Sequence, residues 1–417
     1  MANWRGINVN IASLCVGAAI VTLAFFSHSE TANAADPIDI DVSGRASIVA
    51  GVSDGDGKAD ADAEITVKGS TVLDSGVEIG AVLEGRLDGQ QPRQYFAGGR
   101  YSGLRIGGPR GVGPLTSDAY LQGAYAFARG GFGRFSIGRE QGVARSLAVT
   151  APTIFQSFNV NDWRTDLSGL NDIHTVNDFS GYATKFSYMP PANLLGGAIG
   201  SLRLGVSYSP SLIDCGERLC APSDRFGLSP DALLLSDVSN WSDVVEAAAY
   251  YQKSVKFGGP DRLLLGFGAS FVTAEENALV TEPIFSDYQA ISLGLNLGYR
   301  GVTLGGSVKT TNAGFNQGGE DNYLAFDAGV TFKTGEEKGD WGFMLGYGRS
   351  EADLIGPTIL DQLLFQDTQS AQAGVTYYLG RGIAIGAAAQ FVEATKPLPT
   401  GRDGEAASVV IESSIKF

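Results

Sequence analysis

From residue 38 onward the chain alternates apolar and polar side chains with period two. This is the pattern of strands whose two faces meet different surroundings. In the clearest run, Ile291, Leu293, Leu295, Leu297 and Tyr299 share one face, and Ser292, Gly294, Asn296, Gly298 and Arg300 share the other. Sixteen such runs are read, near 39–51, 62–72, 76–87, 118–128, 132–139, 180–190, 200–209, 243–257, 262–271, 288–299, 302–311, 322–334, 340–350, 369–379, 383–393 and 406–417. Most are about nine to fourteen residues long, which suits the ~9–11 residues of a tilted membrane strand better than the ~5–6 of a soluble sheet.

The connections alternate in length. Short ones lie near 73–75, 129–131, 258–261, 300–301, 335–339 and 380–382, with 191–199 the one longer member of that rim. Long ones lie near 52–61, 88–117, 140–179, 210–242, 272–287, 312–321, 352–368 and 394–405. Short turns at one rim and long loops at the other are the layout of a membrane β-barrel, and an even strand number puts both termini at the short-turn rim. The strand-like segment 94–107 is read as a hairpin beyond the membrane, because one more strand would reverse every later direction.

Aromatic residues give an independent indication. On the strands running towards the short-turn rim, parity points Phe127, Tyr188, Phe257, Tyr299, Phe332, Tyr377 and Phe417 outward near the same end, with Trp341 starting an upward strand at that height. Rings at one level form the girdle that a barrel needs at the headgroup boundary. The expectation is an all-β transmembrane antiparallel barrel of about sixteen strands.

The connection from 140 to 179 has no sustained periodicity. A loop of that length in a compact domain is functional when it is real. It is expected to fold inward and narrow the barrel.

Composition fits this picture. Charged residues make up 18% and hydrophobic residues 44%, too apolar and too regular for a disordered chain. The one long apolar run, Ile11–Phe26, follows Arg5 and precedes Ala32-Asn33-Ala34. That reads as a signal peptide over 1–34, leaving 35–417 as the barrel. An exported chain meets an oxidising compartment, so Cys215 and Cys220 are expected to pair, with two free thiols as the alternative. The net charge of −15 argues against nucleic acid as a partner.

The last strand ends in alternating apolar residues closed by Phe417, and the segments GRFSIGREQG (133–142), KFSYMPP (185–191) and LRLGVSYSPS (202–211) flank the long loop. In these features the chain resembles the trimeric porins of Gram-negative bacteria, most closely the alphaproteobacterial type. The Pro-Glu-Phe-Gly-Gly-Asp stretch of enterobacterial porins is absent, so their loop path is not carried over.

The resemblance implies a homotrimer in outer-membrane lipid and lipopolysaccharide, with Phe417 as the signal read by the barrel assembly machinery. The small outward residues Gly44, Ala46, Ala50, Ala63 and Gly69 suit contact between copies. It also implies acidic loop residues facing basic wall residues across a constriction. By that implication Asp162, Asp166, Asp172 and Asp178 stand opposite Arg45, Lys68, Arg86 and Arg134, which parity turns inward. The acidic loop gives a weak suggestion of Ca²⁺ through oxygen ligands, without EF-hand spacing.

Enzymatic chemistry finds little support. Of two histidines, His28 lies in the signal peptide and His174 in the long loop, and no nucleophile elbow is present. A sixteen-stranded barrel encloses water, whereas a plugged transporter needs ~22 strands. The leading expectation is passive diffusion of small hydrophilic solutes. The alternatives are a substrate-specific porin for a sugar, peptide or anion, and a secreted all-β structural or adhesive protein.

Overall fold

The alternating runs become strands, and the strands close on themselves. The computed structural model describes residues 38–88, 118–161, 166–171, 173–192, 200–211, 241–256, 261–276, 287–312, 323–355, 363–395 and 404–417. The first strands are β1 (Asp39–Ser53), β2 (Asp56–Val72), β3 (Glu78–Asp88), β4 (Asp118–Gly130), β5 (Gly133–Arg139) and β6 (Thr184–Met189). They are followed by β7 (Ser201–Ser211), β8 (Trp241–Lys256), β9 (Arg262–Glu276), β10 (Tyr288–Tyr299) and β11 (Val302–Thr311). The last are β12 (Tyr323–Lys333), β13 (Trp341–Ile355), β14 (Leu363–Gly380), β15 (Ile383–Thr395) and β16 (Gly404–Lys416). Each pairs antiparallel with its sequence neighbours, and β1 pairs with β16 to close the barrel. Among the described strands no edge is left to recruit another chain.

The closure is stitched at the last residue. Gly44 N–H donates to the Phe417 carbonyl at 2.9 Å, and Phe417 N–H donates back to the Gly44 carbonyl at 3.0 Å.

Two features of the wall differ from expectation. The supposed loop at 52–61 is a two-residue turn: Ser53 pairs with Asp56, and Asp54 and Gly55 both have positive φ (50° and 87°). Asp-Gly supplies that pair of left-handed conformations, whose twist matches the flanking strands. The second difference is a bulge between β3 and β4. Glu84 pairs with Gly123 but Gly85 pairs with Leu121, so Gln122 is an extra residue and parity along β4 flips. Phe127, expected in the outer girdle, therefore faces inward. It is buried there, with Lys68 Nζ 5.3 Å and the Arg134 guanidinium 5.6 Å from its ring.

The rest of the described girdle faces out. Phe135 stacks on Tyr188 (4.4 Å), Trp341 meets Tyr377 (4.9 Å), and Phe332 and Phe417 are exposed on the outer surface. Phe257, the signal peptide, Cys215, Cys220 and the 94–107 segment lie outside the described residues.

The apolar core is inside the barrel. β5 and β6 are only 7 and 6 residues long, because the chain leaves the wall after Arg139 and rejoins it at Thr184. Between them Val143, Leu147, Ile154, Phe155, Phe158, Val160, Leu167 and Ile173 are buried. They are packed by the segment that enters the lumen.

The constricted lumen as candidate functional site

An irregular segment has backbone donors and acceptors that no ladder satisfies, so burying it requires partners on the wall. The path of the loop follows from where those partners are. One helical turn, Val143–Ser146, packs beside β7 and β8. Val149 passes over β9 and β10, and Phe155 reaches β14 and β15. Ser157 meets Ser47 on β1 through their hydroxyls. Beyond this point Lys58 on β2 donates to the Leu167 carbonyl at 2.6 Å. The chain then returns: His174 N–H donates to the Tyr323 hydroxyl on β12 (2.9 Å), and Phe179 stacks on Tyr288 on β10 (3.8 Å). The loop is thus a doubled belt lining the wall from β8 around to β1.

Three inward carboxylates, four strands apart, hold the belt. Glu246 on β8 accepts Ala144 N–H (3.2 Å) and the Ser180 hydroxyl, so it grips both ends of the loop. Asp327 on β12 accepts Ala151 N–H (3.0 Å), the Asn161 side-chain amide (2.6 Å) and the Thr175 hydroxyl (2.7 Å), joining the outgoing and returning courses. Glu412 on β16 accepts three successive amides, from Gln156 (2.7 Å), Ser157 (2.9 Å) and Phe158 (3.1 Å). Charge-assisted bonds of this kind are about twice as strong as neutral ones. At the neck, buried Lys185 donates to the carbonyls of Glu140 and Gly181, both at 2.6 Å.

The expected constriction acids are placed differently. Asp166 is buried and caps its own turn, accepting N–H from Ser168 (3.0 Å), Leu170 (2.8 Å) and Asn171 (2.9 Å). Asp178 is buried against His174, 2.8 Å from Nε2. Neither faces the lumen, because a loop packed against a wall draws its carboxylates in to meet backbone and ring donors. Burial pushes the His174 ring below its ordinary pKa, so it is neutral at pH 7. Burial works against the Asp178 carboxylate, but His174, Lys309 and Arg145 outweigh it and hold that pKa well below the usual range. Asp162 and Asp172 lie outside the described residues. Among the described residues no group of three or more His, Cys, Asp or Glu could hold a metal ion.

The expected basic residues do line the lumen, on the part of the wall the belt leaves open. Three meet a carboxylate of the same wall, Arg45 with Glu64 (2.8 Å), Lys68 with Glu78 (2.6 Å) and Arg86 with Asp62 (3.1 Å), and Arg134 meets Glu140 (2.9 Å), the first residue of the loop. The Arg45 side chain is 47% exposed although it points inward, so water reaches the interior here. Charge is paired mainly between neighbouring strands β1–β3, and Arg134 ties β5 to the neck of the loop through Glu140.

A model of the family described as Gram-negative porin matches residues 17–397. The chain belongs to the Gram-negative porin family. This porin is therefore an integral outer-membrane β-barrel that forms a channel. Its fold is similar to that of OmpF from Salmonella typhi in complex with daunomycin, at 14% identity and TM-score 0.56, covering 93% of this chain and 100% of that one. It is also similar to an anion-selective porin from Comamonas acidovorans (13% identity, TM-score 0.54, 91% and 100% covered). A third likeness is the trimer form of in-vitro folded OmpT from Vibrio cholerae (12%, 0.53, 92% and 100%). Comparison with curated proteins gives no match.

Sequence reasoning passed over the porin's three anchoring carboxylates. One signal was present: Glu412 is the lone acid among the inward residues Ser408, Val410 and Ser414 of its strand.

Proposed function

We propose that this porin is a general diffusion channel for small hydrophilic solutes, working as a homotrimer. The observation that carries this reading is the division of the interior. The loop is fixed to β8–β16 by its own backbone, while the inward Arg45 on β1 stays solvent-exposed. A water path beside paired charges passes polar solutes without demanding a particular one. The trimer form of the Vibrio cholerae protein supports the assembly, as does the small outward face at Gly44, Ala46 and Ala63. Work in this reading is passage, not catalysis. The test is reconstitution in a planar bilayer with sugars added on one side. A general channel shows conductance in steps of three that no sugar blocks saturably. Saturable block by one sugar, peptide or anion would establish the substrate-specific alternative instead.

A further inference from the structure

The belt lies flush on the wall at positions that have no side chain. On β14 and β15, Gly374 and Gly386 form a notch, and the Phe155 ring fills it. A Cβ added at Gly374 would stand 2.5 Å from that ring, and one at Gly386 would overlap it further. Phe158 closes the ring's other side edge-on at 6.0 Å. The same close approach recurs along the belt. A Cβ at Gly268 on β9 would stand 2.9 Å from Val149, one at Gly294 on β10 would meet the Val149 carbonyl, and one at Gly346 on β13 would stand 3.0 Å from Val160. Inward glycines on the same strands but off the belt are roomy: Gly266 has nothing nearer than 3.7 Å and Gly298 nothing nearer than 3.5 Å. Other tight glycines, such as Gly51, Gly80 and Gly305, are crowded by the wall itself, whereas Gly268, Gly294, Gly346 and Gly374 are crowded by the loop.

We propose that the Gly374–Gly386 notch, with Phe155 seated in it, sets the size limit of the channel. This rests on the diffusion reading above and names what fixes its cut-off. Close-packed groups do not yield to an added methyl, and only glycine lets another chain approach so near. At Gly374 the two nearest atoms belong to the Phe155 ring, so a side chain there displaces the loop the one way open to it, into the water path; at Gly386 it would meet Thr376 of the wall as well. The size limit is thus a matter of how deeply the loop sits, and the lumen charges tune ions without deciding size. Phe155, Gly374 and Gly386 are positioning residues.

The test uses the full-length porin, with folding checked by heat-modifiable migration. Gly374→Ala should lower single-channel conductance and exclude the larger sugars in liposome swelling. Phe155→Ala added to Gly374→Ala should restore both, which a merely structural loss at Gly374 would not do. Gly266→Ala should leave both unchanged. Phe155→Trp, which alters no wall residue, should lower both, and it decides the matter if Gly374→Ala does not fold. Wild-type conductance in folded Gly374→Ala or Phe155→Trp overturns the proposal, and so does a double variant that stays narrow. No conductance from the folded wild type would instead defeat the diffusion reading.

Discussion

The Glu412 carboxylate accepts the Ser157 amide at 2.9 Å across a sequence separation of 255 residues. The last strand of the barrel thus holds the far end of a loop made by its first third. Glu412→Ala leaves three amides without their acceptor, and the buried one, of Phe158, costs about 1–3 kcal/mol when left unsatisfied. The expected result is a folded barrel whose loop fluctuates: noisy conductance, and fast hydrogen exchange at 156–158. Glu412→Gln keeps one acceptor oxygen and should fall between. Slow exchange at those amides in the alanine variant would show that the tether does not hold the loop.

Acid should loosen the same loop through His174. Its ring is held below the ordinary 6.5 by burial. An unseated loop therefore takes up a proton from about pH 6.5 downward, while the seated loop resists it. Stability present above 6.5 is lost progressively as pH falls through that window. Asp178 stays ionised throughout, because its pKa lies well below 3.8. Channel noise should rise on acidification below 6.5, and His174→Gln should flatten that rise. An identical pH response in the variant would assign it to another group.

Ion preference should follow the paired wall. The net charge of −15 predicts weak cation preference, read as the sign of the reversal potential in a salt gradient. Arg45→Gln leaves Glu64 without its 2.8 Å partner and should strengthen that preference, whereas Glu64→Gln should weaken it. Both effects should shrink at high salt, where the screening length is only ~3 Å at 1 M. Anion preference in the wild type would overturn the charge argument.

Barrel closure should depend on Phe417 through Gly44. Deleting Phe417 removes two backbone hydrogen bonds, each worth about 0.5–1.5 kcal/mol net. Gly44→Val would drive a Cβ to 2.8 Å from the Phe417 ring. Both variants should unfold at lower temperature on heat-modifiability gels. Unchanged heat resistance in both would place the closing strength elsewhere in the β1–β16 pairing.

The wall was legible in the sequence because period-two alternation is an unambiguous pattern when the two sides are lipid and water. Its exceptions were not. One extra residue at Gln122 inverts the facing of Tyr125 and Phe127 while the alternation itself continues, and small residues such as Ala124 and Ala126 fit either side. The Asp54-Gly55 turn was hidden in a run of acids and glycines that also reads as a loop. The interior was harder still. Asp166 and Asp178 looked like pore charges because charge is visible in a sequence, whereas the backbone donors that claim carboxylates in an irregular segment are not. The basic positions Arg45, Lys68, Arg86 and Arg134 were placed inward by parity, but their partners depend on register between strands.

A lining on only part of the circumference makes the conduit eccentric. Water and solute travel beside the arc from β1 to β5, which the loop touches only at Ser47 and Lys58, away from the barrel axis, and β8–β16 serve as scaffold for the inner layer. The outcome of a lumen mutation should therefore depend on its compass bearing. Changes on the bare arc alter what passes, and changes on the lined arc alter the shape of the passage. The two kinds should be separable by asking whether selectivity or calibre moves first.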